Sequence, residues 1–162
     1  MEIQTANALI LVVSESALPG SANWNNLIAM QVANTLQIVK TYLGGIPEVL
    51  VAVVYGSFSS GKQTPSSDID LGVAGVTPFS LEFMVQLQTD LSVKTGREID
   101  LIDLRVATGT VLKQALTQGS FMIHRDMTLL SQILSRMVTD EADFERLRNK
   151  LLTEKRKKVF GV

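Results

Sequence analysis

The sequence lacks the residues that build the commonest metal and redox sites. It contains no cysteine and a single histidine, His124. Disulfide bonds and thiolate metal sites are therefore excluded. A histidine metal cluster or a Ser-His triad within one chain has little support for the same reason. We expect His124 to lie at the edge of a strand.

Long apolar runs are also missing. The longest, such as 8–13 and 49–55, are far shorter than the roughly 20 residues that cross a bilayer. Met1-Glu2 lacks the basic start of a secretory signal. Together with the absence of cysteine, these features predict a cytoplasmic protein that does not act at a membrane. At 162 residues, with 46% hydrophobic and 19% charged residues, the chain should form one soluble domain with its own core.

Basic residues are absent from the first part of the chain and crowded near its end. None precedes Lys40, whereas seven of the fifteen lysines and arginines lie between Arg146 and Lys158. Such a basic helix face can contact nucleic acid, an acidic partner or only water, and a solvated face is the commonest outcome. No aromatic residue interleaves these charges, which disfavours binding of single-stranded nucleic acid.

Hydrophobic periodicity predicts helices and strands in alternation. A helix over 21–43 should stop at the run Gly44 to Pro47. Pro78 should open a helix that ends at Gly96 and carries one apolar stripe. The stripe consists of Leu81, Met84, Leu87 and Leu91. The other predicted elements are strands at 49–55, 68–73, 97–104 and 121–124, a helix at 106–118, and two helices at 127–138 and 140–158; the segment 3–13 fits either a helix or a strand.

Further apolar residues are expected to serve packing. Trp24 fits a helix packing position, and Tyr55 fits a core or rim position. A stripe on the last helix, Phe144, Leu147 and Leu151, is either core or a partner surface, with core favoured.

The stretch YGSFSSGKQ, residues 55–63, resembles a phosphate-binding P-loop. That loop requires a serine or threonine after its lysine as a magnesium ligand, but Lys62 is followed by Gln63. It also requires a helix directly after the lysine, whereas Pro65 disfavours one here. The P-loop interpretation is therefore rejected.

Two aspartates follow at the start of a predicted strand. Because strand side chains alternate, Asp68 and Asp70 project from one face while Ile69 projects from the other. Two carboxylates a few ångströms apart repel by about 4 kcal/mol at an effective dielectric of 20. Such a pair belongs either on a solvated edge or around a divalent cation.

The string YGSFSSGKQTPSSDIDLGV, with an apolar strand at 49–55 before it, resembles the signature of the minimal nucleotidyltransferases of the DNA polymerase beta superfamily. The resemblance implies an α+β, polymerase-beta-like fold: a mixed sheet of about four strands flanked by helices. The catalytic core would cover 46–126, with a helical extension at 1–45 and C-terminal helices over 127–160. Relatives often carry arginine at the position of Ser60, and Lys62 is the nearest replacement for its charge.

A third acid is expected in the strand from Glu98 to Leu104. Alternation places Asp100 and Asp103 on opposite faces, so only one can meet the first pair. The family resemblance selects Asp100, and Asp103 is then expected on the solvated side of the strand. The resemblance further implies that Asp68, Asp70 and Asp100 hold two Mg²⁺ ions.

The substrate and partner follow from the same resemblance. ATP would be bound by Gly56, Ser57 and Lys62, and AMP would be transferred to a hydroxyl of a HEPN-domain toxin, with this chain as the antitoxin. The short stretch after Asp126 predicts that a partner supplies the acceptor. Two alternatives remain open: a module that only masks the toxin, and a transferase acting on a small hydroxylated molecule such as an aminoglycoside. Nucleic acid is not expected as the substrate.

Overall fold

The computed structural model describes residues 21–61, 64 and 67–160. Within them the chain forms five helices and four strands. In chain order these are α1 (Ser21–Gly44), β1 (Val51–Tyr55), α2 (Gly56–Ser60), β2 (Ile69–Ala74), α3 (Leu81–Thr95), β3 (Ile99–Asp103), α4 (Gly109–Gln118), β4 (Ser120–His124) and α5 (Met127–Phe160). The segment 3–13 and Lys62 lie outside the described residues, as do the side chains of Trp24, Leu147 and Leu151.

The four strands form one mixed sheet, as predicted, and the structure gives their order as β3-β2-β1-β4. Strand β1 runs antiparallel to β2 and to β4, whereas β2 and β3 are parallel. Parallel neighbours need a long crossover, and α3 provides it between β2 and β3. His124 ends β4 opposite Val51 and is exposed, which confirms its place at a strand end.

Both faces of the sheet are covered, so the core has two layers. Val54, Ile69 and Ile99 face one layer with residues of α1 and α3. Val53, Tyr55 and Leu104 face the other with residues of α4 and α5. Because β1 contacts both layers, all five of its residues are buried.

Helix boundaries follow the capping residues rather than the proline. Helix α1 ends at Gly44, as predicted. The prediction that Pro78 opens α3 is wrong, because Ser80 is the N-cap and its hydroxyl accepts the backbone N–H of Phe83 at 3.2 Å. Leu81 is consequently 79% exposed and does not join the predicted stripe, although Leu87 is buried as expected.

The C-terminal region is one helix, not two. Helix α5 spans 34 residues without interruption, and its sequence contains neither glycine nor proline to end it. Thr139, at the predicted break, donates its hydroxyl to the carbonyl of Ser135 within the helix. Phe144 is 64% exposed, so its assignment to the core is also wrong. None of the described helices is both long and apolar enough to cross a membrane.

Candidate functional site

Three polar side chains lie in a row across the sheet. Asp70 pairs with Tyr55 on β1 and with Asp100 on β3. Residues opposite each other on neighbouring strands project from the same face, so the three lie side by side. This face is the one covered by α4 and α5, and the row marks the end of β1 and the starts of β2 and β3.

Asp70 occupies a fitted position against the chain segment that follows β1. A Cβ atom added to Gly56 would lie 2.0 Å from Asp70 Oδ2, so only glycine leaves room for this carboxylate. The backbone N–H of Ser57 donates to Asp70, which lowers its pKa. Burial and the charges of Asp100 and Asp68 act more strongly in the opposite direction, and the pKa of Asp70 is raised overall.

The structure places the three predicted acids near one another, since Asp70 pairs with Asp100 and the charge of Asp68 also acts on Asp70. Asp68, just before β2, and Asp100 are exposed, whereas Asp70 is half-buried. No three acidic or histidine side chains among the described residues already converge on one point. Exposed carboxylates can turn toward a cation, and without one they repel each other. Their role as ligands therefore stays a prediction.

Asp103 corrects the expectation of a solvated position. It is 6% exposed and lies on the opposite face from Asp100, as alternation predicted. Its carboxylate accepts the backbone N–H groups of Phe79 at 2.7 Å and Arg105 at 2.8 Å. A buried carboxylate is stable only with such partners, so Asp103 fixes the turns after β2 and β3.

The Gly-Ser segment forms a short helix rather than a P-loop. Gly56 opens α2 with a φ of 66°, and Gly61 closes it with a φ of 70°. Of the positions between Gly61 and β2, those that the structure describes are not helical, which agrees with rejecting a P-loop. The hydroxyl of Ser60 donates to the carbonyl of Gly56 at 2.9 Å.

Two residues beside the acids were not predicted as part of the site. Burial and the charges of Asp100 and Asp70 raise the pKa of Tyr55 to about 12, so its phenol stays neutral beside them. The guanidinium of Arg97 lies 5.4 Å from the centre of the Phe58 ring in α2 and donates to the carbonyl of Ser67 at 3.2 Å. Arg97 therefore ties α2 to the residue before Asp68. Only its position at the start of the third predicted strand could have indicated this role.

Comparison with known proteins agrees with this arrangement. The family model "Polymerase beta, Nucleotidyltransferase" matches residues 37–128. Protein adenylyltransferase MntA of Shewanella oneidensis is 32% identical over 90 residues, which cover 56% of this chain and 65% of that protein. The chain thus spans less than two thirds of the length of this curated relative.

Solved structures share the fold. A chain from a toxin-antitoxin crystal structure with AMP-PNP has a TM-score of 0.59 and 21% identity, covering 80% of this chain and 96% of that one. A chain from the complex of a tri-AMPylated Shewanella oneidensis HEPN toxin with an MNT antitoxin has a TM-score of 0.58 and 21% identity, covering 76% and 97%. The family match includes the Gly-Ser segment and all three acids, and this chain belongs to the polymerase beta nucleotidyltransferase family.

Proposed function

We propose that this protein is an antitoxin that transfers AMP from ATP to a hydroxyl of a HEPN-domain toxin and releases pyrophosphate. The observation that carries the proposal is the register Asp70–Asp100 between β2 and β3, with Asp68 beside it. The 32% identical relative is named a protein adenylyltransferase, and a chain of similar fold comes from a complex with an AMPylated HEPN toxin. Both relationships support AMP as the transferred group and a protein as the acceptor.

The acids fit a divalent cation by their charge and chemistry. Carboxylate oxygens are the ligands that Mg²⁺ takes in phosphate-transfer sites. Burial, followed by the negative charges of Asp100 and Asp68, raises the pKa of Asp70, and a bound cation would neutralise that negative charge. Asp68 and Asp70 would hold two Mg²⁺ ions, and Asp100 would share one of them. When bound, such ions stabilise the charge that develops on the attacking and leaving oxygens.

The chain's own residues would then orient the reactants. Asp100 is exposed beside Asp70, where its carboxylate can accept the proton of the attacking hydroxyl. Ser57 already uses its backbone N–H on Asp70, which leaves its hydroxyl for a phosphate oxygen. Lys62 follows this segment in sequence and would add positive charge to the triphosphate site.

The test is the intact mass of the toxin after incubation with this protein, ATP and MgCl₂. The HEPN protein encoded beside this gene should gain the mass of AMP. Asp70→Asn and Asp100→Asn should abolish that gain, because each removes a cation ligand. Glu82→Gln is the matched control, since it removes one negative charge from an exposed position on α3 and should leave transfer unchanged.

A second candidate function is masking of the toxin without catalysis. The hydroxyl of Ser60, at a position where relatives often carry arginine, is bonded to its own helix. If masking is the function, the toxin will be inhibited without gaining mass, and Asp70→Asn will inhibit it as well as the natural protein does. Modification of an aminoglycoside by the protein alone would instead identify a small-molecule transferase.

A further inference from the structure

Helix α5 is only half covered by its own domain. Leu129, Leu130, Ile133 and Met137 are buried in the core layer that faces α4. Beyond Met137 every side chain that the structure describes is exposed or only half-buried. Large apolar side chains are among them: Val138 is 60% exposed, Phe144 64% and Leu152 51%. An apolar face of this kind on a helix marks an interaction surface.

The charges on this half of the helix change sign along its length. Residues 139–145 carry Asp140, Glu141, Asp143 and Glu145 and no basic residue. Residues 146–158 carry seven basic residues and one acid, Glu154. A helix with an acidic stretch followed by a basic one is complementary to itself in the antiparallel direction.

A groove lies beside the acidic stretch. Its volume is about 710 Å³, and it lies between the first turn of α4 and the middle of α5. Met137 and Phe144 supply apolar lining, and Asp140, Glu141 and Glu145 supply acidic lining. Lys113 pairs with Glu141, and Arg148 pairs with Glu145 at 2.5 Å. These ion pairs are partly exposed, so each is weak and its acid can accept another basic partner.

We propose that the groove binds the C-terminal segment 155–160 of a second copy of this chain, with the two α5 helices antiparallel. The segment reads KRKKVF, and its four basic residues match the acidic rim of the groove. The chain's own segment cannot reach the groove. Helix α5 is continuous, so position 157 lies about 24 Å along the axis from position 141 at 1.5 Å per residue.

The two-fold arrangement also pairs the apolar positions. If the helices cross near Asn149, position 140 lies opposite position 158 of the second copy, and position 143 lies opposite position 155. Position 147 of each copy, a leucine, then lies opposite position 151 of the other copy, which is also a leucine. An isologous contact of this kind closes on itself and gives a dimer rather than a fibre.

A charge exchange tests the proposal on the full-length chain. One variant carries Lys155→Glu, Arg156→Glu and Lys158→Glu, and the other carries Asp140→Lys, Asp143→Lys and Glu145→Lys. Sedimentation velocity over a range of concentrations at low salt measures the dimer dissociation constant. Each variant alone should dimerise at least about tenfold more weakly than the natural chain, whereas their equimolar mixture should recover dimers.

Two further variants separate this effect from misfolding. Lys40→Glu reverses an exposed charge on α1, on the other side of the sheet, and should leave the dimer unchanged. Phe144→Gln should weaken the dimer without lowering the melting temperature of the monomer. A natural chain that stays monomeric at every concentration would overturn the proposal, as would charge variants that dimerise normally. Hydrogen exchange can also overturn it. If the second half of α5 is protected from exchange only after the HEPN protein is added, the surface belongs to that partner.

Discussion

Asp70 lies so close to Gly56 that the substitution Gly56→Ala tests directly whether the position of this carboxylate matters for the proposed site. Gly56 has a φ of 66°, which an L-residue adopts at a cost of about 1–2 kcal/mol. The new Cβ would lie 2.0 Å from Asp70 Oδ2, and the carboxylate would have to retreat by about 1.5 Å to reach an optimal contact near 3.5 Å. That movement takes it away from the N–H of Ser57.

The structure supplies a control with the same backbone cost. Gly96, which caps α3, has a φ of 65° and nothing within 4 Å of an added Cβ. Gly96→Ala should therefore lower the free energy of unfolding only by the cost of the left-handed backbone conformation, about 1–2 kcal/mol. Gly56→Ala should lose about 1 kcal/mol more, because a hydrogen bond to a half-buried carboxylate is broken. The melting temperature falls by about 2–4 °C per kcal/mol in a domain of this size.

The activities should separate much further than the stabilities. A misplacement of about 1 Å at a reacting centre can cost roughly 10²-fold in rate, so AMP transfer by Gly56→Ala should fall by at least that factor. Gly96→Ala should retain the natural rate at a temperature where both variants are folded. Thermal unfolding and the mass assay on the toxin measure the two effects. If Gly56→Ala and Gly96→Ala lose the same stability and the same activity, the idea that Gly56 positions Asp70 is refuted.

Other perturbations test the charges around the site. The raised pKa of Asp70 means that its ionised form destabilises the metal-free fold, and this penalty vanishes when the pH falls below the ordinary pKa of 3.8. Asp70→Asn should therefore raise the melting temperature near pH 7 and leave it unchanged in acid. The variant should also no longer be stabilised by MgCl₂. The pKa values of both tyrosines are raised to about 12, and for Tyr42 the chief cause is its hydrogen bond to Asp90. Ultraviolet absorbance should therefore show almost no phenolate at pH 10 in the folded protein. Asp100→Asn should lower the pKa of Tyr55 and leave that of Tyr42 unchanged; a uniform shift of both would contradict the row across the sheet. Asp103→Ala should cost about 2–4 kcal/mol in urea unfolding because two partly buried N–H groups lose their acceptor, whereas Asp100→Ala should cost almost nothing.

The sequence predicts the order of most elements and the face that each aspartate occupies, because both depend on local patterns. Alternation along β2 and β3 determines which face each aspartate occupies, and the structure confirms it for Asp100 and Asp103. Glycines at the ends of helices, Gly44 as the last residue of α1 and Gly96 as the C-cap of α3, are equally local signals. Short-range patterns of this kind therefore predict most elements and the face that each aspartate occupies, whereas the fold and the choice of Asp100 as the third acid come from the family resemblance.

The remaining details depend on contacts between distant parts of the chain. The acceptor role of Asp103 requires the turn at Phe79, which lies 24 positions earlier. The contact of Arg97 with the ring of Phe58 joins two elements separated by β2 and α3. Periodicity within a single segment contains no information about such partners. The continuity of α5 escapes prediction for a different reason, since the change from apolar to charged residues resembles a break although no helix-ending residue is present.

The pairing of β2 with β3 links stability to chemistry through the same residues. Ile69 lies opposite Ile99 in the core, one position from the pair Asp70–Asp100. A slip of one residue in β3 would turn Asp100 into the layer that contains α1 and α3 and would turn Ile99 to the opposite face. The hydrophobic residues therefore align the acids while they exclude water from the core. A substitution at Ile99 should therefore displace the acids of the proposed site although Ile99 itself lies in the core, and the site should form only when β2 and β3 have reached their final pairing.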